Sequence, residues 1–299
     1  MKIRRLMVAM GAVMTALWAA AFTTETITVN TTNLPAPMKV NVIKPDVLGQ
    51  AGVKVPVIYL LHGYGGDYTN WAREDMEIGK LADQYGIMYV LPDGQDSWYV
   101  DSPVNPSVKM ESFFVKDLVP YIDSHYATKA EPGQRAITGL SMGGHGALYL
   151  GTRHPEIWGN MGSMSGGVNL VPFMKKKKWK MPTVFGDPAK YAQRYADASV
   201  VNLIPAMKAN KQNIIFDCGS EDFFHKVNAE LHQKMLDAKV PHEYTSRPGN
   251  HNWTYWGNSI KYHTLFFSDR FRGVKVPTAP DEKAAPAKKT TAKKTAAKK

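Results

Sequence analysis

One cysteine, Cys218, occurs in 299 residues. No disulfide can form within such a chain, so the fold must rest on buried apolar surface. Long apolar runs are scarce too. The stretch Leu6 to Trp18 is short for a membrane span. Acidic residues are outnumbered, 26 against 37 Lys and Arg, for a formal charge of +11. The excess sits at the ends. Lys2, Arg4 and Arg5, with seven lysines against Asp281 and Glu282 after residue 276, supply eight of the eleven charges. The body lacks the basic footprint of a nucleic-acid-binding domain, and no nucleic-acid partner is expected.

What is present is a 44% hydrophobic, 11% aromatic chain, enough for one large α/β domain or two small ones. Residues 1–21 read as a secretory signal peptide. Lys2-Ile3-Arg4-Arg5 is basic, Leu6 to Trp18 is apolar, and Ala19-Ala20-Ala21 offers a small-residue cleavage site. An exported protein, periplasmic or extracellular, with no membrane span after cleavage is expected. Residues 276–299 are Ala, Lys, Pro and Thr with almost no larger apolar side chain, a composition that predicts a disordered tail. Residues 22–275 form the expected domain.

Within it, Gly139-Leu140-Ser141-Met142-Gly143 follows a short apolar strand, 135–138, and precedes a helix rich in small residues. Gly-x-Ser-x-Gly between a strand and a helix is the nucleophile-elbow pattern. The turn is so tight that side chains at the two glycines would collide with backbone, and it lifts the serine hydroxyl clear of the sheet. The helix start behind it offers free N–H groups to developing negative charge.

Other segments supply a frame. Thr26–Asn30 and Met38–Ile43 alternate as an antiparallel pair at a sheet edge. Val57–Leu61 is a continuous apolar run, a strand covered on both faces. The glycine-rich loop His62-Gly63-Tyr64-Gly65-Gly66 follows it, where ligands bind in open α/β sheets. The N–H groups of Tyr64 and Met142 are the expected oxyanion donors, and His62 is expected to brace the loop. Asn70–Tyr85 and Lys109–Tyr126 show helical spacing, and Ile87–Leu91 reads as a buried strand. Trp98 and Tyr99 in the loop after that strand either line the substrate cleft or pack the loop. Residues 168–209, with Lys175 to Lys178 and several aromatics, suggest an inserted helical cap. The lysine run is either a solvated face or a steering element for anions.

Strand 213–218 is followed by Gly219-Ser220-Glu221-Asp222. An acid at such a strand end can hold a histidine tautomer. Asp217, Glu221 and Asp222 all qualify, and Asp222 is preferred. Val240–Arg247 reads as the last strand, and Pro248-Gly249-Asn250-His251-Asn252-Trp253 follows. Of nine histidines, His251 alone occupies a glycine-containing loop after the final strand. His145, His225, His232 and His263 fall on predicted helices. Nucleophile, acid and base in the order Ser141, Asp222, His251 is the α/β-hydrolase order.

With Leu60–Gly66, Ser97-Trp98-Tyr99, Gly139–Gly144, Cys218–Asp222 and Pro248–Trp253 in place, the chain resembles the esterase D-like α/β-hydrolases over residues 25–270. That group includes carbohydrate esterase family 1 enzymes such as feruloyl and acetylxylan esterases, tributyrin esterases, S-formylglutathione hydrolases and mycolyltransferases. The resemblance implies an α/β-hydrolase fold, with a mostly parallel sheet, helices on both faces and a small cap. It implies a triad at Ser141, Asp222 and His251, an oxyanion hole at Tyr64 and Met142, and no metal or organic cofactor. Where many members have Asp after the histidine, this chain has Asn252. The expected activity is a secreted serine esterase on small-molecule or glycan esters, acetyl or feruloyl, with Trp98, Tyr99 and Trp253 binding substrate. The alternatives are an acyltransferase to a sugar hydroxyl and a non-catalytic glycan-binding module.

Overall fold

The computed structural model describes residues 21–274. Apart from Ala21, the expected signal peptide lies outside the described residues, as does the expected tail. Eight strands form one sheet: β1 (Thr23–Val29), β2 (Met38–Lys44), β3 (Val57–Leu61), β4 (Met88–Pro92), β5 (Arg135–Gly139), β6 (Asn160–Met164), β7 (Asn213–Gly219) and β8 (Glu243–Arg247). Their spatial order is β1-β2-β4-β3-β5-β6-β7-β8. β1 and β2 pair antiparallel, as do β2 and β4, and every later pairing is parallel.

Period-two alternation sends side chains to both faces. On β3, Val57, Tyr59 and Leu61 join one apolar cluster while Ile58 and Leu60 join the other. The second cluster is covered by α1 (Ile78–Tyr85) and, from the far end of the chain, by the long C-terminal helix Trp253–Phe271 through Leu81, Ile260 and Phe267. The first is covered by α2 (Met110–Phe113) and α3 (Val119–His125), which a π turn at Phe114–Leu118 joins, and by α4 (Met142–Arg153). Burying each such Leu, Ile or Phe contributes about 1.5–3 kcal/mol.

The residues between β6 and β7 include α5 (Pro182–Phe185), α6 (Pro188–Asp197) and α7 (Ile204–Asn210). Met181, Phe185, Tyr195 and Met207 from this stretch belong to the first cluster, so much of it is continuous with the domain core. Helix α8 (His225–Asp237) precedes β8, and α9 (Trp253–Phe271) closes the described chain. No helix among the described residues is long and apolar enough to cross a membrane.

Parallel neighbours end on the same side. The loops that follow β3, β5, β7 and β8 therefore gather along one edge of the sheet.

Some boundaries differ from the sequence expectation. Asn70–Tyr85 is not one helix. Glu77 takes the left-handed conformation (φ 54°) and separates two 3-10 turns, Asn70–Ala72 and Glu74–Met76, from α1. The last strand starts at Glu243, three residues late, because the Val240 N–H closes onto Met235 O at the end of α8 and Pro241 follows.

Candidate active site

Ser141 sits at φ 55°, ψ −115° between β5 and α4. A non-glycine residue held there costs about 1–3 kcal/mol, which the surroundings must offset. They do so by closing on the turn. The Ser141 N–H donates to Met164 O (2.9 Å) and the Gly143 N–H to Leu140 O (2.7 Å). A Cβ on Gly139 would lie 2.7 Å from Leu61 O, and one on Gly143 2.5 Å from His62 O. Both glycines are thus required by the packing of β5 and the head of α4 against the end of β3.

His251 reaches this serine from the loop after β8. Its Nε2 is 2.9 Å from Ser141 Oγ, and its Nδ1 is 2.8 Å from Asp222 Oδ2. A carboxylate oxygen accepts, so Nδ1 carries the proton and the Nε2 lone pair faces the serine hydroxyl. Asp222 Oδ1 accepts the Phe224 N–H (2.8 Å), which locks the carboxyl in a turn ahead of α8. The Asp222 side chain is inaccessible to solvent and that of His251 is 14% exposed. The imidazole is walled by Phe223 (centroids 4.3 Å), Phe224 (5.5 Å) and Trp256 (4.8 Å).

The other two acids go elsewhere. Glu221 is exposed, and its backbone N–H donates to Gly249 O (3.0 Å). Asp217 is buried, accepts from Ser259 Oγ (3.0 Å) and His263 Nε2 (3.2 Å), and forms an ion pair with Arg247 (3.3 Å). His263 in turn meets Thr138 Oγ1 through Nδ1 (2.9 Å). Cys218 is also buried, and desolvation together with the Asp222 charge pushes its thiol far above the ordinary range, so it stays an unreactive SH.

The amides of Tyr64 and Met142 donate no hydrogen bond among the described residues. Met142 opens α4, where no carbonyl lies one turn back to receive its N–H. The Tyr64 loop is held from behind. The Gly94 N–H donates to His62 Nε2 (2.7 Å), His62 Nδ1 faces Gly63 O (2.7 Å), and the Gly65 N–H donates to Asp96 Oδ1 (2.7 Å). His145, one turn into α4, is fully buried between Ala198 O (2.8 Å) and Trp98 O (3.1 Å). Burial pushes its pKa down to about 4.

Trp98 and Tyr99 do not line the cleft, contrary to the sequence expectation. Both are buried, at 1% and 0% exposure. Both backbones take positive φ (55° and 60°), which turns the side chains inward. Tyr99 fills a slot opened by glycines: a Cβ on Gly94 or Gly146 would lie 2.2 or 2.4 Å from its ring. Its hydroxyl donates to His62 O (3.0 Å), so it supports the Tyr64 loop from below. Trp253 does reach the cleft. It stands edge-on to Trp71 (5.2 Å) and Trp256 (5.4 Å).

The open cleft above Ser141 and His251 has a volume of about 360 Å³. Besides the residues already placed there, Asn70, Lys178, Trp179, Phe223 and Trp256 line it. Of these, the sequence points only to Lys178, through the run that could steer anions, and to Trp179, as a cap aromatic that either faces the cleft or packs the cap. For the others the one available signal was the aromatic content of the stretch beside the acid. Chemically, the floor offers a hydroxyl oriented toward a base, unpaired N–H donors beside it and aromatic walls.

Residues 31–267 match the Esterase family profile. An esterase of Mycobacterium tuberculosis is 30% identical over 237 residues, covering 71% of this chain and 52% of its own length. The chain thus spans about half the length of the curated relatives it matches first. An acetyl esterase of Caldicellulosiruptor saccharolyticus is 25% identical over 241 residues, 73% of this chain and 86% of that protein. A solved ferulic acid esterase superposes with a TM-score of 0.72 at 26% identity, over 84% of this chain and 99% of that one.

Proposed function

The chain belongs to the Esterase family, and from that membership we propose that it is a serine carboxylesterase working through an acyl-enzyme. The observation that carries the reading is the continuous hydrogen-bond path from buried Asp222 through His251 to Ser141 Oγ at the foot of an aromatic cleft. In this reading Ser141 Oγ attacks the ester carbonyl carbon while His251 Nε2 takes its proton. Asp222 keeps the imidazole in the Nδ1–H tautomer and stabilises the imidazolium. The oxyanion accepts from the Tyr64 and Met142 N–H groups, each such donor lowering the barrier by about 3 kcal/mol. Collapse breaks the C–O bond, and the alcohol leaves with the proton from Nε2. Water then enters by the same route, gives its proton to Nε2 and releases the acid. Neither step calls for a metal or organic cofactor.

The acyl group in this reading is acetyl or feruloyl and the alcohol belongs to a glycan. An acetyl esterase among the relatives and a ferulic acid esterase among the solved structures support it, as does the Trp253–Trp256 wall. The basic, apolar and small-residue order of residues 2–21 supports export. We further read residues 168–209 as a cap over the cleft, through Lys178 and Trp179.

The test is turnover of p-nitrophenyl acetate, butyrate and octanoate, methyl ferulate and acetylated xylan, with Ser141→Ala as control and with products analysed in the presence of a sugar acceptor. Hydrolysis that disappears in Ser141→Ala supports the reading, and the chain-length profile sizes the acyl site. Acylated acceptor as the main product would move the assignment to acyl transfer. A folded protein inactive on every ester would overturn it.

A further inference from the structure

Lys175, Lys176, Lys177, Lys178 and Lys180 are all exposed, and none lies within ion-pair distance of a carboxylate among the described residues. Five cations in six positions repel one another, a cost that a bound anion would relieve. The segment is also anchored. Lys177–Trp179 is a 3-10 turn closed by the Lys180 N–H on Lys177 O (3.2 Å), with Lys180 at φ 42°. Trp179 packs on Phe173 (5.6 Å), Phe224 (5.5 Å) and Phe223 (5.8 Å), the last of which stands against His251. The backbone at Lys178 is therefore fixed relative to the base.

Lys178 and Trp179 line the same cleft as Ser141 and His251. Lys178 is the one Lys or Arg among the lining residues, and no Asp or Glu lines it. Asp96, beside the Tyr64 loop, accepts the Gly65 N–H and does not line the cleft. A cleft with aromatic walls and one uncompensated cation favours a substrate that is apolar or planar near the reacting ester and negatively charged further out.

We propose that the substrate is an ester bearing a carboxylate or equivalent anionic group, which Lys178 binds while Trp179 packs against the portion between that group and the scissile bond. The proposal rests on the serine esterase reading and specifies its substrate class.

Two matched pairs test it on the full chain. p-Nitrophenyl hemisuccinate against p-nitrophenyl butyrate puts the charge on the acyl side. 3-Carboxyphenyl acetate against phenyl acetate puts it on the alcohol side. The readout is the anionic-to-neutral ratio of kcat/KM. In at least one pair, Lys178→Gln should lower that ratio about two- to fivefold, the range of an exposed ion pair, mainly through KM. Lys178→Glu should lower it further, and 0.5 M NaCl should erase most of the wild-type preference. Lys226→Gln, an exposed lysine on α8, controls for net charge and should leave the ratio in place. Ratios indifferent to Lys178 in both pairs would overturn the proposal. Absence of turnover on all four esters would instead sink the esterase reading. Calorimetric binding of the same pairs to Ser141→Ala, with and without Lys178→Gln, then judges the anion site alone: weaker binding of the charged ester in the double variant supports it, and equal binding rejects it.

Discussion

Gly219 and Gly249 meet backbone to backbone. A Cβ on Gly219 would stand 2.2 Å from Gly249 O. Gly219 ends β7 and leads to Asp222, while Gly249 lies in the loop after β8 that carries His251. Their contact, with the Glu221 N–H donating to Gly249 O, sets how far the acid stands from the base. Gly219→Ala should push the two loops apart and weaken the Asp222–His251 bond. kcat on p-nitrophenyl esters is expected to fall on the order of 10²-fold, the cost of a misplacement of about 1 Å, with KM changing less. Unchanged steady-state kinetics in a folded Gly219→Ala protein would show that the loops are not coupled in this way.

Two neighbouring acids should behave oppositely. Asp222→Asn presents an amide to His251 and favours the wrong tautomer, so kcat should drop on the order of 10⁴-fold. Glu221→Gln changes an exposed side chain whose backbone amide, not carboxylate, makes the contact, and activity should stay within about twofold of the parent. Steady-state kinetics on the same ester compares the pair.

The buried Asp217 cluster should matter for stability more than for chemistry. Asp217→Asn leaves Arg247 and His263 without their anion behind the sheet, and unfolding free energy should fall on the order of 3 kcal/mol. Denaturant titration measures this. A loss below about 0.5 kcal/mol would mean that the cluster relaxes without cost.

Stability should also decline in acid through His145. Its folded pKa, about 4, lies below the usual 6.5, so the unfolded chain binds the extra proton first. Unfolding free energy therefore rises with pH across the window between about 4 and 6.5 and is lost as pH falls through it, the Ala198 and Trp98 carbonyls at the two ring nitrogens reducing the loss because they favour the protonated ring. Urea titrations at pH 7 and pH 4.5 should show the loss, and His145→Gln should flatten it. An equally steep dependence in that variant would assign the effect to other groups.

Phe223 is half exposed yet rests on the His251 ring at 4.3 Å. Phe223→Ala removes one wall of the cleft. KM for aromatic esters should rise about threefold to tenfold, the loss of part of an aromatic contact, while Tyr99→Phe, away from the cleft, should act through loop stability. A KM shift in Tyr99→Phe as large as that in Phe223→Ala would contradict the buried position of Tyr99.

Much of the frame was legible in the sequence because its causes are local. Continuous apolar runs specified the covered strands β3 and β4, and alternation specified the edge pair. The glycines at 139 and 143 are demanded by the turn itself, so the strand–turn–helix around Ser141 could be read without knowing the neighbours. A continuous helical reading of Asn70–Tyr85 failed because spacing does not report the left-handed turn at Glu77.

The sequence by itself therefore determined the order of the elements and the few candidates for each chemical role. Tertiary structure decided which of three nearby carboxylates faces His251, since Asp217 inside β7 turns toward α9, Glu221 toward solvent and Asp222 toward the base. It also sent Trp98 and Tyr99 into the core and brought Trp179, Phe223 and Lys178 to the cleft. Those outcomes depend on volumes and slots, such as the gap between Gly94 and Gly146, that residues far apart in the chain create only once they pack together.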